Sequence, residues 1–264
     1  MLEVKDLHAF YGKSHILQGV DMRIDAGEVV SLLGRNGVGR STTVKAIMGE
    51  VPPQGSILFK GSNIAGLPSY KIAHLGLGYV PEHRDIFPGL TVRQNLMLGI
   101  KDPKKPGKWR LEDMLEMFPN LAARADTAAG VMSGGEKQML TICRTLMGDP
   151  ELVMIDEPTE GLAPLIVQQV GDLIAEIARR GVAILLDEPT AGMSHAETER
   201  AVALIRRLTE GRTLVIVEHD MSVVFGLADR ITVLVYGEVI ASDTPAAIRG
   251  NVAVQEAYLG AVAA

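Results

Sequence analysis

Cysteine is nearly absent from this chain. Cys143 stands alone among 264 residues, so no intramolecular disulfide can form. That fits a reducing, cytosolic compartment. A basic surplus is also missing: net charge is −6 and the isoelectric point is near 5.6. A globally basic nucleic-acid binder is therefore disfavoured. Long apolar runs are lacking too. The uninterrupted stretches, such as Val182–Leu186 and Leu214–Val217, fall far short of the roughly 20 residues that cross a membrane. Any membrane role must then go through a partner. The first residues, Met-Leu-Glu-Val-Lys-Asp-Leu-His, place charges where an export signal needs an apolar run, so no such signal is expected. What the chain does have is core-forming material, with 47% hydrophobic residues. That suffices for one large domain or two small ones.

Short β-branched runs alternate with amphipathic helical stretches, a pattern that predicts an α/β domain with a buried, largely parallel sheet. Leu2–Val4 and Val20–Ile24 read as strands of an antiparallel flank. Gly27–Leu33 reads as a buried strand that feeds a glycine-rich loop and a helix over Ser41–Met48. Further strands are expected within Val51–Lys60, at Leu77–Val80, Leu152–Ile155 and Leu214–Val217. A closing hairpin is expected at Arg230–Val235 and Glu238–Ala241. Lys101–Lys108 reads as a basic loop, with helical spacing after it at Leu111–Phe118 and Gly134–Leu146.

Gly34 to Thr42 reads G-R-N-G-V-G-R-S-T. The spacing is that of a phosphate-binding loop, except that Arg40 stands where a lysine is usual. The candidate phosphate contacts are thus Gly34, Arg35, Asn36, Gly37, Val38, Gly39, Arg40, Ser41 and Thr42. Glycines let backbone N–H groups wrap a phosphate, and the following helix adds positive potential. The Ser41 hydroxyl is placed for Mg²⁺. Arginine keeps the charge but is bulkier and planar, so binding can survive while the terminal phosphate is held off line. A ligand-free strand–helix turn is the alternative reading.

Ser133–Gln138 reads SGGEKQ, and Asp156-Glu157 follows an apolar strand 23 positions after Ser133. Together with the phosphate loop, these motifs resemble the ABC-type ATPase family over almost the whole chain. The resemblance implies a P-loop ATPase fold of ABC type: a mainly parallel sheet core with an N-terminal antiparallel β flank, a small helical subdomain at about 90–145, and here one duplicated βα unit at about 152–212. It implies ATP and Mg²⁺ as cofactors, a second ATPase subunit packed head to tail, and transmembrane permease subunits. The chain would then sit in the cytoplasm, peripheral on the inner face of the cell membrane. In such a pair, Ser133, Gly134, Gly135 and Glu136 cap the nucleotide held by the partner's phosphate loop. Ser133 and Glu136 also suit a simple capping box. Tyr11 matches an adenine-stacking aromatic, with an exposed loop tyrosine as the rival. Glu82 sits where most of the family has a metal-contacting glutamine. Asp156 matches the Mg²⁺-side carboxylate and Glu157 the group that polarises the attacking water. Phe87 and Leu90 match the surface that docks on membrane subunits.

The closer resemblance is to ATPase subunits of branched-chain amino acid importers. Up to about Leu186 the chain is similar to one of two paralogous ATPases, with AFYGKSHIL, LLGRNGVG and YVPEHRDIFPGLTV. From about Leu185 it is similar to the other, with LLDEPTAGMSHAETE and VIVEHDMSVVFGLADRITVL. The chain therefore resembles a chimera joined near Ala183–Asp187.

The join repeats one unit. Asp156–Thr159 and Asp187–Thr190 both read DEPT, 31 positions apart, and each follows an apolar strand. The resemblance implies one acidic strand end, then a switch histidine at the next strand end. His219 suits Asp187 by spacing, whereas SGGEKQ suits Asp156. The expectation favours the first copy at the centre, because the signature helix leads straight into it. The switch position would then fall on Glu188, an acceptor only, and His219 would be displaced by one strand. The reverse arrangement would expose the apolar strand Leu152–Ile155. His219 also reads as a polar end to a buried strand, and His195 carries only such a bland reading. Rival functions are a soluble ABC-type ATPase of translation or DNA repair, a nucleotide-binding subunit that does not hydrolyse, and a non-functional fusion.

Overall fold

The computed structural model describes residues 1–25, 29–34, 37–105, 107–190, 193, 198–199, 201–203, 205–206 and 213–259. Arg35, Asn36 and His195 lie outside the described residues, as does part of the second post-DEPT segment.

Two sheets form the frame. The first is a four-stranded antiparallel flank, ordered β2-β1-β4-β5, from β1 (Leu2–Tyr11), β2 (Ser14–Ile24), β4 (Pro53–Phe59) and β5 (Ser62–Asn63). Alternation drives it: Leu17, Val20, Met22 and Ile24 of β2 face inward and are buried. β1 is longer than its first residues suggest, because a bulge between Val4 and Leu7 returns Leu7 and Ala9 to the core face. Gly55 is obligatory beside that bulge. Its φ is +103°, and a Cβ there would lie 2.2 Å from the Asp6 carbonyl oxygen.

The second sheet has seven strands, ordered β11-β10-β3-β9-β8-β7-β6. They are β3 (Val29–Gly34), β6 (Leu77–Val80), β7 (Leu152–Asp156), β8 (Ala183–Asp187), β9 (Leu214–Glu218), β10 (Arg230–Val235) and β11 (Glu238–Asp243). Among the described strands of this sheet, only β11 runs antiparallel to its neighbour. Helix α1 (Arg40–Ile47) follows β3, and α2 (Ser69–His74) precedes β6. The residues of β7, β8 and β9 are all buried, as continuous apolar runs demand of a sheet covered on both faces. Val153, Ile155, Ile184, Leu186, Leu214 and Ile216 pack into the core under the helices. Leu152, Met154, Ala183, Leu185, Val215 and Val217 pack towards the antiparallel flank.

This order corrects the expectation that the first DEPT copy takes the centre. The strand beside β3 is β9, which leads directly into His219, and β8 with the second copy comes next. The first copy, β7, is inserted between β8 and β6. Nor is its apolar strand exposed, because an added parallel strand gains neighbours on both edges. Its own crossover helix, α7 (Pro164–Arg179), completes the cover. Val170, Leu173, Ile174, Ile177 and Ala178 recur at helical spacing on α7 and are buried. The duplicated unit thus brings the apolar helix its extra strand needs.

Helices α3 (Val92–Met97), α4 (Leu111–Met117), α5 (Pro119–Ala122) and α6 (Gly134–Leu146) fall within the interval expected to be helical. Arg180, just past α7, stacks 4.2 Å from the centre of the buried Trp109 ring and lies 3.5 Å from Asp113 of α4. These contacts tie the helical interval to the added helix.

Candidate functional site

β3 ends at Gly34 and the chain turns through Gly37 and Gly39, at φ +83° and +109°, into α1. A Cβ on Gly39 would lie 2.6 Å from Leu17 Cδ2, so only glycine allows the helix to start here against β2. Among the described residues, no side chain caps α1. The first backbone N–H groups of a helix have no partner within it, and the helix end carries partial positive charge. Ser41 is exposed at this end and Thr42 is buried.

Val38, expected as a phosphate contact, has its backbone N–H for that role and its side chain turned elsewhere. Its side chain is 9% exposed and packs into the core beneath the antiparallel flank. Cγ2 closes over Gly34, where an added Cβ would lie 2.6 Å from it. An isopropyl group offers no hydrogen bond, so burying it is the favourable outcome. Val38 thus anchors the loop with its side chain, and only its backbone N–H is left for an anion.

The second DEPT copy meets the loop. Arg40 and Glu188 form an ion pair, with side chains only 5% and 16% exposed. His219 Nδ1 lies 3.7 Å from Glu188 Oε1 and 3.7 Å from Glu218 Oε2. His219 is half exposed, so it is not a core histidine. Asp187 is buried, and its carboxyl is pushed up to about 7. Burial is the main cause and Asp156 adds to it, while Arg40 and the Ser41 hydroxyl pull it back. Its Oδ2 has no hydrogen-bond partner among the described residues. Glu218 is fully buried but satisfied: Oε1 accepts from the Thr190 backbone N–H and hydroxyl at 3.1 and 2.6 Å, and Oε2 accepts from the His219 N–H at 3.2 Å.

The first copy lies elsewhere. Asp156 accepts from the Tyr79 hydroxyl at 3.1 Å, and burial raises its carboxyl. Glu157 faces Glu82 and Glu160, with one ligand-type oxygen of each within 4.8 Å of the others. A hydrogen bond shared with Glu160, then burial, pushes Glu157 up to about 8. Two further expectations change as a result. Glu188 does not replace a displaced histidine; it shares a site with His219 and Arg40. Glu82 groups with Glu157 and Glu160 at the first copy.

The SGGEKQ segment packs against the unit of the first copy. Ser133 Oγ accepts from the Glu136 N–H at 3.3 Å, and Glu136 Oε2 accepts from the Ser133 N–H at 2.8 Å. The capping box is therefore real. A Cβ on Gly135 would meet Ile166 of α7 at 2.9 Å, and one on Gly134 would meet Arg84 Nη1 at 2.9 Å. Arg84 in turn donates to the Glu160 carbonyl. The signature turn thus leans on the added unit. With strands spaced about 4.8 Å apart, β8 lies about 10 Å from β3 across the sheet and β7 about 14 Å. The acidic and glycine-rich elements that family spacing would gather are split between these two positions.

Tyr11 is 50% exposed at the end of β1, and Phe87 is 52% exposed. Buried Asn95 fixes the Phe87 loop: Nδ2 donates to the Phe87 and Thr91 carbonyls, both at 3.0 Å, and Oδ1 accepts from the Phe87 N–H at 2.9 Å. Sequence reading passed over Asn95, which sits in a short helix whose one local signal is the Thr91–Gln94 capping box. It also favoured Asp156 over Asp187 at the centre, where the two spacings pointed in opposite directions.

Comparison with known proteins agrees with this fold. Residues 17–160 match the family model described as ABC transporter. Residues 238–264 match a model described as branched-chain amino acid ATP-binding cassette transporter. The high-affinity branched-chain amino acid transport ATP-binding protein BraG of Pseudomonas aeruginosa is 37% identical, covering 98% of this chain and 100% of the relative. LivG of Escherichia coli, of the same description, is 29% identical, with 98% of each chain covered. A solved ATP-binding subunit of an ABC transporter matches with TM-score 0.69 and 26% identity, covering 98% of this chain and 96% of that one. A nucleotide-free ATP-binding cassette shares the fold, with TM-score 0.64 and 23% identity over 98% of each chain. With more than half of its length inside the family model and a relative above 30% identity along its whole span, the chain belongs to the ABC transporter family, as an ATP-binding subunit of the ABC ATPase type.

Proposed function

We propose that the chain binds ATP with Mg²⁺ and hydrolyses it slowly, as the subunit that energises import of branched-chain amino acids through permease partners. It would pair with a second ATPase subunit and act at the inner face of the cell membrane. The printed descriptions of BraG and LivG support the substrate class. The meeting of Arg40, Ser41, Asp187, Glu188 and His219 at the end of β3 carries the site.

The residues fit a nucleotide phosphate and a divalent cation. Gly37 and Gly39 open the backbone, α1 presents its N-terminus, and the buried Asp187 Oδ2 lacks a partner among the described residues. Ser41 and Asp187 would hold the cation, which supplies charge neutralisation for phosphoryl transfer. Glu188 would orient the attacking water, and His219 would face the terminal phosphate. The second copy thus takes the roles assigned by resemblance to Asp156 and Glu157. Glu82 and Ser133–Glu136, displaced by one strand, would serve a nucleotide site less well. Phe87 and Leu90 remain the proposed docking surface, and Phe87 is exposed as docking requires.

Slow turnover follows from three features: the arginine at position 40, its pairing with Glu188, and the inserted strand. Steady-state phosphate release by the chain and by Arg40→Lys tests this. Release by the unmodified chain at an ordinary transporter rate overturns it. The Arg40–Glu188 pair also favours a second reading, a subunit that binds nucleotide without hydrolysing it. ATP binding with no phosphate release from either protein selects that reading.

A further inference from the structure

Arg40 stands at the lysine position of the phosphate loop, and its guanidinium is already engaged. It pairs with Glu188, and both side chains are largely shielded from water. A buried pair of this kind resists opening, because separating it leaves each charge poorly solvated. The partner comes from far along the chain, on the turn after β8, and reaches Arg40 because β8 lies two strands from β3. The same Glu188 oxygen also lies 3.7 Å from His219 Nδ1. One carboxylate therefore faces both groups that would otherwise face a polyphosphate.

We propose that Glu188 is a positioning residue that competes with the nucleotide's phosphates for Arg40, so that binding requires this ion pair to be exchanged for an arginine–phosphate contact. A lysine is a shorter, compact point charge, whereas the longer arginine reaches the Glu188 carboxylate through Nη2. Arginine at this position thus turns a residue that acts on water into one that also governs affinity. The carboxylate of a water-orienting residue should have no effect on the affinity of a product that needs no water. The competition makes it matter.

This inference rests on the nucleotide-site reading, and the experiment separates the two. ADP with Mg²⁺ is titrated calorimetrically into the full chain, Glu188→Gln, Arg40→Gln and the double variant, with thermal melts to confirm that each is folded. ADP avoids hydrolysis as a confounding step. Glu188→Gln should tighten ADP binding about tenfold, the scale of coupling between contacting residues. Arg40→Gln should weaken it, and Glu188→Gln should then have no further effect in the double variant. Unchanged affinity in Glu188→Gln, or an equal gain with and without Arg40, overturns the competition. Absence of ADP binding in all four folded proteins overturns the nucleotide-site reading, and this inference falls with it. Should Arg40→Gln fail to fold, Arg40→Lys replaces it, and there the gain from Glu188→Gln should shrink.

Discussion

Glu157 and Glu188 occupy the same turn one strand apart. Both adopt left-handed backbone, with φ of 43° and 47°. The Glu157 N–H donates to the Asp187 carbonyl at 2.9 Å, and the Glu188 N–H donates to the Val217 carbonyl at 2.7 Å. Thr159 donates to the Pro189 carbonyl, as Thr190 does to the Glu218 carboxylate. Non-glycine residues rarely hold this conformation, and it costs about 1–3 kcal/mol where it is imposed. Here the strain comes twice because the unit does. Local sequence makes the two turns alike, and sheet position makes them different. Only the second faces Arg40 and His219.

Glu188→Gln should therefore lower phosphate release by about a hundredfold or more, as loss of a positioned proton acceptor does. Glu157→Gln should change it little. A single-turnover phosphate assay on both variants checks this. A larger loss in Glu157→Gln would return the chemistry to the first copy.

The inserted strand should behave as core. Ile155→Ala removes a fully buried side chain in β7 and should cost about 2–5 kcal/mol. Ile184→Ala in β8 should cost a similar amount. Urea denaturation reads both. If Leu152–Asp156 were an expendable addition, Ile155→Ala would be nearly silent.

Glu157 sets a pH dependence. Its pKa stands at about 8 against an ordinary 4.5. Between those values the native state binds more protons than the unfolded one, so stability falls as pH rises. Below about pH 4.5 the contribution is flat. Glu157→Gln should raise the melting temperature at pH 8.5 and leave it nearly unchanged at pH 4.5. Glu157 is only partly buried, so solvent screening keeps the effect modest. Equal shifts at both pH values would rule out the acidic cluster as the cause.

Deleting Asp156–Leu186 joins the first strand to Asp187 and removes α7. The product should fold, because Leu152–Ile155 is equivalent to the strand it replaces and pairs with both β6 and β8 now. It should also release phosphate faster than the parent, since the signature turn and Glu82 would move one strand closer to the loop. Circular dichroism, melting and phosphate release read the outcome. An unfolded deletion protein would show that α7 and Ala183–Leu186 of β8 are indispensable.

The sequence by itself determined the family, most of the central strands and the repeat. Gly34–Ser41, Ser133–Glu136 and two DEPT strands are local patterns, and local patterns fix turns, caps and buried strands wherever they occur. Spacing also exposed the conflict, since Asp156 suited the signature and Asp187 suited His219. Within the phosphate loop, the motif did not show that the Val38 side chain is an anchor, because only its packing against Gly34 and the flank reveals that. Which copy sits beside the histidine strand was not legible either, because a run such as Leu-Val-Met-Ile or Ala-Ile-Leu-Leu satisfies any interior place in a parallel sheet equally well. Only the tertiary structure decided it. Packing let the sheet widen by one strand, covered by α7, so that neither copy was expelled. The strand nearest the phosphate loop kept its own downstream histidine, and Glu188 was carried to Arg40, a pairing between residues 148 positions apart that no local pattern encodes.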